Sequence, residues 1–166
     1  MISLTARSVA LALGMVALVA VPPATSQVPP EDLVCFGQPA TIVGDGTTTL
    51  IFGTNGDDVI VGSKAAETIV GRQGDDRICG NGGDDLIDGG FGDDRLRGNK
   101  GDDTLEGRKG ADRLSGSQGN DTMFGGNGPD FLDGNETPGD PADADVADGG
   151  RGPDECFAET VVDCEA

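Results

Sequence analysis

The sequence contains no histidine, no tryptophan and no tyrosine. Without histidine the chain lacks the side chain that most often moves protons near neutral pH and that anchors most triads. With six phenylalanines as its whole aromatic complement in 166 residues, it also lacks the bulk from which a conventional core is packed. Positive charge is scarce: 11 Lys and Arg stand against 30 Asp and Glu, a net charge of −19. That balance argues against nucleic acid as a partner. An acidic chain poor in aromatics is, on composition alone, a candidate for disorder. We expect that description to hold for the cation-free state. The length allows one domain.

What the chain has in abundance is glycine, 29 residues of it, and it is periodic. From Gly53 to Asp133 the sequence divides into nine gapless blocks of nine residues, such as GNGGDDLID from Gly80 and GGFGDDRLR from Gly89. Position one is always Gly, and position four is Gly except at Ala65. Position six is always acidic: Asp58, Glu67, Asp76, Asp85, Asp94, Asp103, Asp112, Asp121 and Asp130. Position eight is always a large aliphatic residue, from Ile60 to Leu132. Such a period defines an architecture before any local propensity does.

A Gly-x-x-Gly-Asp-Asp run cannot be helix, because glycine is costly there and aspartate competes for the backbone. Glycines that accept positive φ, beside short carboxylates, make a turn. The last three residues alternate variable, aliphatic, variable, the pattern of a short strand with one side chain inward. Each block is a turn plus a strand, and stacked blocks build a continuous core. Two blocks make one coil, so alternate blocks form two parallel sheets whose position-eight residues meet. The turns stack as well. Asp76 is expected between Asp58 and Asp94 on one edge, and Glu67, Asp85 and Asp103 stack on the other. Rungs about 4.8 Å apart leave these charges in mutual repulsion unless a cation intervenes. Hard oxygens at that spacing suit Ca²⁺, which takes six to eight of them.

The blocks resemble the nonapeptide repeats of RTX (hemolysin-type) proteins, with consensus Gly-Gly-x-Gly-x-Asp-x-aliphatic-x. The resemblance covers about half the chain. It implies an all-β parallel β-roll, a two-sheet β-solenoid, with Ca²⁺ held between turns by the nine position-six acids and turn carbonyls. Three blocks depart from the consensus: GSKAAETIV carries Ala65, Ala66 and Glu67, while Ala111 and Pro129 replace the position-five acid elsewhere. Weaker calcium sites are expected around Glu67.

Along the chain, residues 1–26 read as a secretory signal: Arg7, an apolar run from Val9 to Val21, then small residues before Gln27. The run is short for a membrane span, so no stable membrane insertion is expected after cleavage. Export would place the protein outside the cell, where calcium is abundant. Residues 27–52 read as a leader and cap, with two imperfect units ending in Ile42-Val43 and Ile51-Phe52 and lacking a position-six acid. Residues 134–166 read as a block lengthened by six residues, a restart at Gly149 with Asp154 at position six, and a closing cap. Asp140, Asp143 and Asp145 are candidate cation ligands, a solvated acidic loop being the plainer reading.

Four cysteines in an exported chain suggest two disulfides and three possible pairings. On the roll, Cys79 and Cys156 lie some four rungs apart, roughly 19 Å, beyond disulfide reach. Cys35 and Cys164 sit at opposite ends. This favours Cys35 with Cys79, which must cross back over two rungs, and Cys156 with Cys164. Arg77, Arg95, Arg97 and Arg113 face outward on one sheet, whereas Thr68, Asp88, Thr104, Glu106 and Thr122 hold matching places on the other. The stripe is either a surface for an anionic cell-surface polymer or a set of arginines paired with nearby carboxylates. Asn120-Asp121-Thr122 and Asn135-Glu136-Thr137 match glycosylation sequons, but Asn120 falls inside a turn and reads as structural. The expected function is an exported, non-enzymatic protein that calcium folds, with an adhesive or matrix protein as the alternative.

Overall fold

The structure, a computed structural model, describes residues 33–134 and 144–164. The signal reading of 1–26, the first leader residues, Asn135, Asp140 and Asp143 lie outside the described residues. Where each Gly-rich turn releases the chain, a few residues extend and then turn again. The strands so formed fall into two seven-stranded parallel sheets. The odd sheet holds β3 (Ile42–Val43), β5 (Val59–Val61), β7 (Arg77–Cys79), β9 (Arg95–Lys100), β11 (Arg113–Gln118), β13 (Phe131–Asp133) and β15 (Glu155–Phe157). The even sheet holds β4 (Leu50–Phe52), β6 (Thr68–Gln73), β8 (Leu86–Phe91), β10 (Thr104–Lys109), β12 (Thr122–Asn127), β14 (Val146–Arg151) and β16 (Thr160–Val162). Before them β1 (Val34–Cys35) and β2 (Gln38–Pro39) form an antiparallel hairpin. The architecture is the expected all-β two-sheet solenoid, with no helix among the described strands' connections.

Register advances eighteen residues per rung, so Ile60, Ile78, Leu96, Leu114 and Leu132 lie opposite one another in the odd sheet. Ile51, Ile69, Ile87, Leu105, Met123 and Ala147 do so in the even sheet. These position-eight side chains form one continuous buried core. Several strands run six residues rather than three, continuing through position one into the next block. Pairing omits position one: Val70↔Asp88 is followed by Arg72↔Gly90. The strand therefore bends at Gly71 and carries on as the first limb of the turn. Beyond Asp133 the register lengthens from eighteen to 24 residues, as Asp121 N–H donating to Asp145 shows. The extra length leaves the ladder in register on both sides, Thr122 opposite Val146.

Both disulfides pair as the roll geometry favours, with Cα atoms 5.8 Å apart for Cys35–Cys79 and 6.1 Å for Cys156–Cys164. The β1–β2 hairpin resolves the crossing that Cys35 must make. It folds back over the outer face of the odd sheet, burying Cys35 with Val61 and Cys79 under Phe36 and Ala40. Val61 and Cys79 occupy position nine, which elsewhere faces solvent.

Truncation of the central Leu105, fully buried, to alanine is expected to cost about 2–5 kcal/mol. Val161→Ala, at the open end of the stack where the side chain is 48% exposed, is expected to cost less than about 1 kcal/mol. Denaturant unfolding in calcium measures both.

Candidate metal centre

All nine position-six acids are buried, and the coil gathers them into two columns. Asp58, Asp76, Asp94, Asp112 and Asp130 line one edge; Glu67, Asp85, Asp103 and Asp121 line the other. Within a column each carboxylate uses one oxygen in the same way. Oδ1 accepts the backbone N–H of the acid one rung earlier: Asp58 N–H donates to Asp76, Asp76 to Asp94 and Asp94 to Asp112, each at 2.8 Å. The other column repeats this from Glu67 N–H onto Asp85 through Asp103 N–H onto Asp121.

The second oxygen differs. Oδ2 of Asp76, Asp85, Asp94, Asp103, Asp112, Asp121, Asp130 and Asp154 is buried and accepts no hydrogen bond. It is tucked against the position-one glycine of its own block. A methyl group at Gly71 would collide with both Asp76 Oδ2 and the carbonyl oxygen of Gly89. Glycine is required there so that two oxygens can face one Cα. At Gly110, φ of 139° and the approach of the Gly92 carbonyl exclude a side chain as well.

Desolvation dominates the electrostatics. Burial raises the carboxyls of Asp76 and Asp130 from an ordinary value near 3.8 to about 6. It raises Asp85, Asp103, Asp112 and Asp121 to about 7 and Asp94 to about 8. The accepted backbone hydrogen bond opposes the rise, and the neighbouring acids of the column add to it.

The first two turns are built differently. Gly56 and Ala65 at position four lie outside the left-handed region that Gly74 to Gly128 adopt in later blocks. Asp58 Oδ2 accepts from Thr54 N–H at 2.6 Å and from Thr54 Oγ1 at 2.9 Å. Glu67 Oε2 accepts from Ser63 N–H at 2.7 Å, leaving Oε1 buried and unpartnered. These turns close on their own hydrogen bonds. Thr54 and Ser63 are the residues responsible; both carry a hydroxyl at position two, a feature that Ser117 shares in a turn of the later kind.

Sequence reasoning placed Asp154 at position six and offered Asp145 as a candidate ligand, but it missed Glu159, the column that Asp145 joins and the ladder at position five. Asp145 and Glu159 extend the second column: Asp121 N–H donates to Asp145, and Asp145 N–H to Glu159. Asp154 likewise extends the first. Counting back four residues from Gly149 finds Asp145, but the small Ala147 at position eight obscured the block. The position-five residues form a second ladder running the other way, each accepting from the next rung: Asp75 N–H donates to Asp57, Asp93 to Asp75, and Ala111 to Asp93. Where this ladder loses its acceptor at Ala111, the next rung supplies Pro129, which has no N–H to satisfy, and then Pro153. On the second edge Asn120 takes the acid's place, donating its N–H to Asp102 and accepting from Ala144.

No three acidic or cysteine side chains converge on one point among the described residues. A cation on either column would complete its shell from backbone carbonyls, such as the Gly89 oxygen beside Asp76 Oδ2 and the Gly125 oxygen beside Asp112 Oδ2. An anionic oxygen, a facing carbonyl and room denied to any side chain are the donor set of a hard divalent ion. Fold and site together define a parallel β-roll with cation-ready turns. The model of the RTX calcium-binding nonapeptide repeat matches four copies, at residues 43–78, 52–87, 61–96 and 97–132. The chain belongs to this calcium-binding family. No curated protein and no solved structure matches it.

Between the ordinary value near 3.8 and about 8, the cation-free roll holds protons that the unfolded chain has released. Its stability is therefore greatest at low pH and falls as pH rises through that window. Chelated protein is expected to hold more far-UV β signal at pH 5 than at pH 8, read by circular dichroism. Equal signal at the two pH values would contradict it.

Proposed function

We propose that this is an exported, non-catalytic protein whose roll is completed by Ca²⁺ bound along both carboxylate columns. The observation that carries the reading is the row of buried, unpartnered Oδ2 atoms. A cation neutralises them where protein groups do not. The binding stretch runs from Asp76 to Asp154, with Asp58 and Glu67 at its weak beginning: Asp58 Oδ2 already serves Thr54, and Glu67 gives Oε2 to Ser63 in a turn without the position-four glycine, keeping only Oε1 spare. A ligand that binds only the folded state stabilises it by mass action, by about 2.7 kcal/mol per site at a hundred times Kd. Weak sites in this class fill outside cells, where calcium is millimolar. The signal-like residues 1–26 support export. Among the described residues no helix is long and apolar enough to cross a membrane.

Titrating the oxidised, chelated protein with calcium should produce a cooperative gain of far-UV β signal. Chelator should reverse it, and magnesium should not reproduce it. A chain that stays unordered at millimolar calcium would end this reading. Asp94→Asn should raise the calcium midpoint several-fold, whereas Asp58→Asn should leave it within about twofold, since the spare Asp94 oxygen is the one that a cation needs.

A further inference from the structure

The outer faces of the two sheets are chemically unlike. Position seven of the even sheet reads Leu50, Thr68, Leu86, Thr104, Thr122, Val146 and Thr160, without a positive charge. In the odd sheet, Arg77, Arg95 and Arg113 stand in register on β7, β9 and β11, followed by Phe131 on β13. Arg95 and Arg113 are exposed. None of these three arginines makes an ion pair among the described residues, whereas Arg108 on the even sheet engages both Asp88 and Glu106. Like charges directly opposite one another destabilise a sheet. A fold that needed arginine only for solubility had no reason to stack three of them without partners.

The neighbouring turn edge loses its exposed position-five acids just there, leaving the buried column acids Asp94, Asp112 and Asp130 beneath. Position five is acidic at Asp57, Asp75 and Asp93, then turns apolar at Ala111, Pro129 and Pro153. Arg95, Arg113 and Phe131 line a groove of about 470 Å³ together with Ala111, Pro129 and Pro153; Asp93, Glu155 and the column acids Asp94, Asp112 and Asp130 also line it, the last three being the ones a bound cation neutralises. Phe131 in turn packs on Phe157 with ring centroids 5.7 Å apart. The groove thus offers two arginines in register, then the Phe131 ring and two proline rings.

The geometry points to this groove as the docking site of an acidic polysaccharide. Its sulfates or carboxylates meet Arg95 and Arg113, with Arg77 continuing the row one rung beyond the groove, and its sugar faces rest on Phe131 and the prolines. Beside the arginines stand a phenylalanine and two proline rings, flat apolar surfaces that suit the faces of sugar rings. The inference rests on the calcium-folded roll, because only the loaded columns cease to repel a polyanion.

The test uses the oxidised, calcium-loaded protein and fluorescent dextran sulfate, with uncharged dextran and single-stranded DNA as comparison probes. Far-UV circular dichroism of each sample reports whether the roll is folded. Arg95→Glu with Arg113→Glu is expected to weaken dextran sulfate binding by about tenfold or more. Lys109→Glu with Arg151→Glu makes the same change in net charge on the even sheet and is expected to shift binding by less than about threefold. Phe131→Ala is expected to weaken it without altering the salt dependence. The groove is overturned if the folded wild type does not bind dextran sulfate, if both double variants lose equally, or if DNA binds as tightly. A chain that calcium does not fold sinks the groove and the calcium reading together, and the dichroism separates that case from the others.

Discussion

Everything in this structure depends on burying a carboxylate that is only half satisfied. Each interior position-six aspartate gives one oxygen to a backbone N–H and leaves the other out of water without a donor. Such a group is costly in its charged form. The chain meets that cost again at every rung. Protons can neutralise the columns in acid, and a divalent cation can do so at neutral pH. The fold is consequently a device for creating oxygen sites that the protein alone does not complete.

The core cannot carry this burden. Each block buries one aliphatic side chain while ordering nine residues, and the gain from one such side chain is comparable with the backbone entropy lost by only one or two residues. The remaining order comes from hydrogen bonds between rungs. Two side-chain ladders run along each edge in opposite directions, position six reaching back a rung and position five reaching forward. A turn is thereby held from both sides. The substitution of Ala111, Pro129 and Pro153 in succession removes acceptor and donor together, so the shortened ladder leaves no backbone N–H waiting at Pro129 or Pro153.

The two ends solve a different problem, since a solenoid exposes its core and its unpaired edges there. At the beginning, the β1–β2 hairpin, the Cys35–Cys79 bridge and the self-closed turns at Thr54 and Ser63 order the first rungs with protein groups alone. At the close, Glu159 supplies the last carboxylate of its column, and Cys156–Cys164 ties the final strands. The rungs with spare Oδ2 atoms lie between ends whose turns are closed by protein groups.

The period by itself determined most of this architecture. Position eight had to face inward because nothing else in a block is large and apolar, and an eighteen-residue coil then placed the nine acids in two columns. It also narrowed the disulfides, because rung distance excludes the alternatives. The same letters did not reveal how each oxygen is used. Asp58 and Asp94 occupy identical places in the repeat, yet Thr54 satisfies one and no protein group satisfies the other. Asp145 belongs to a column only because the ladder resumes 24 residues after Asp121. Arg77, Arg95 and Arg113 are scattered along the chain and become a row only in register. Periodicity specifies which residues share a face. Hydrogen-bond satisfaction and charge proximity are properties of neighbours on adjacent rungs, and those neighbours exist only once the coil has closed.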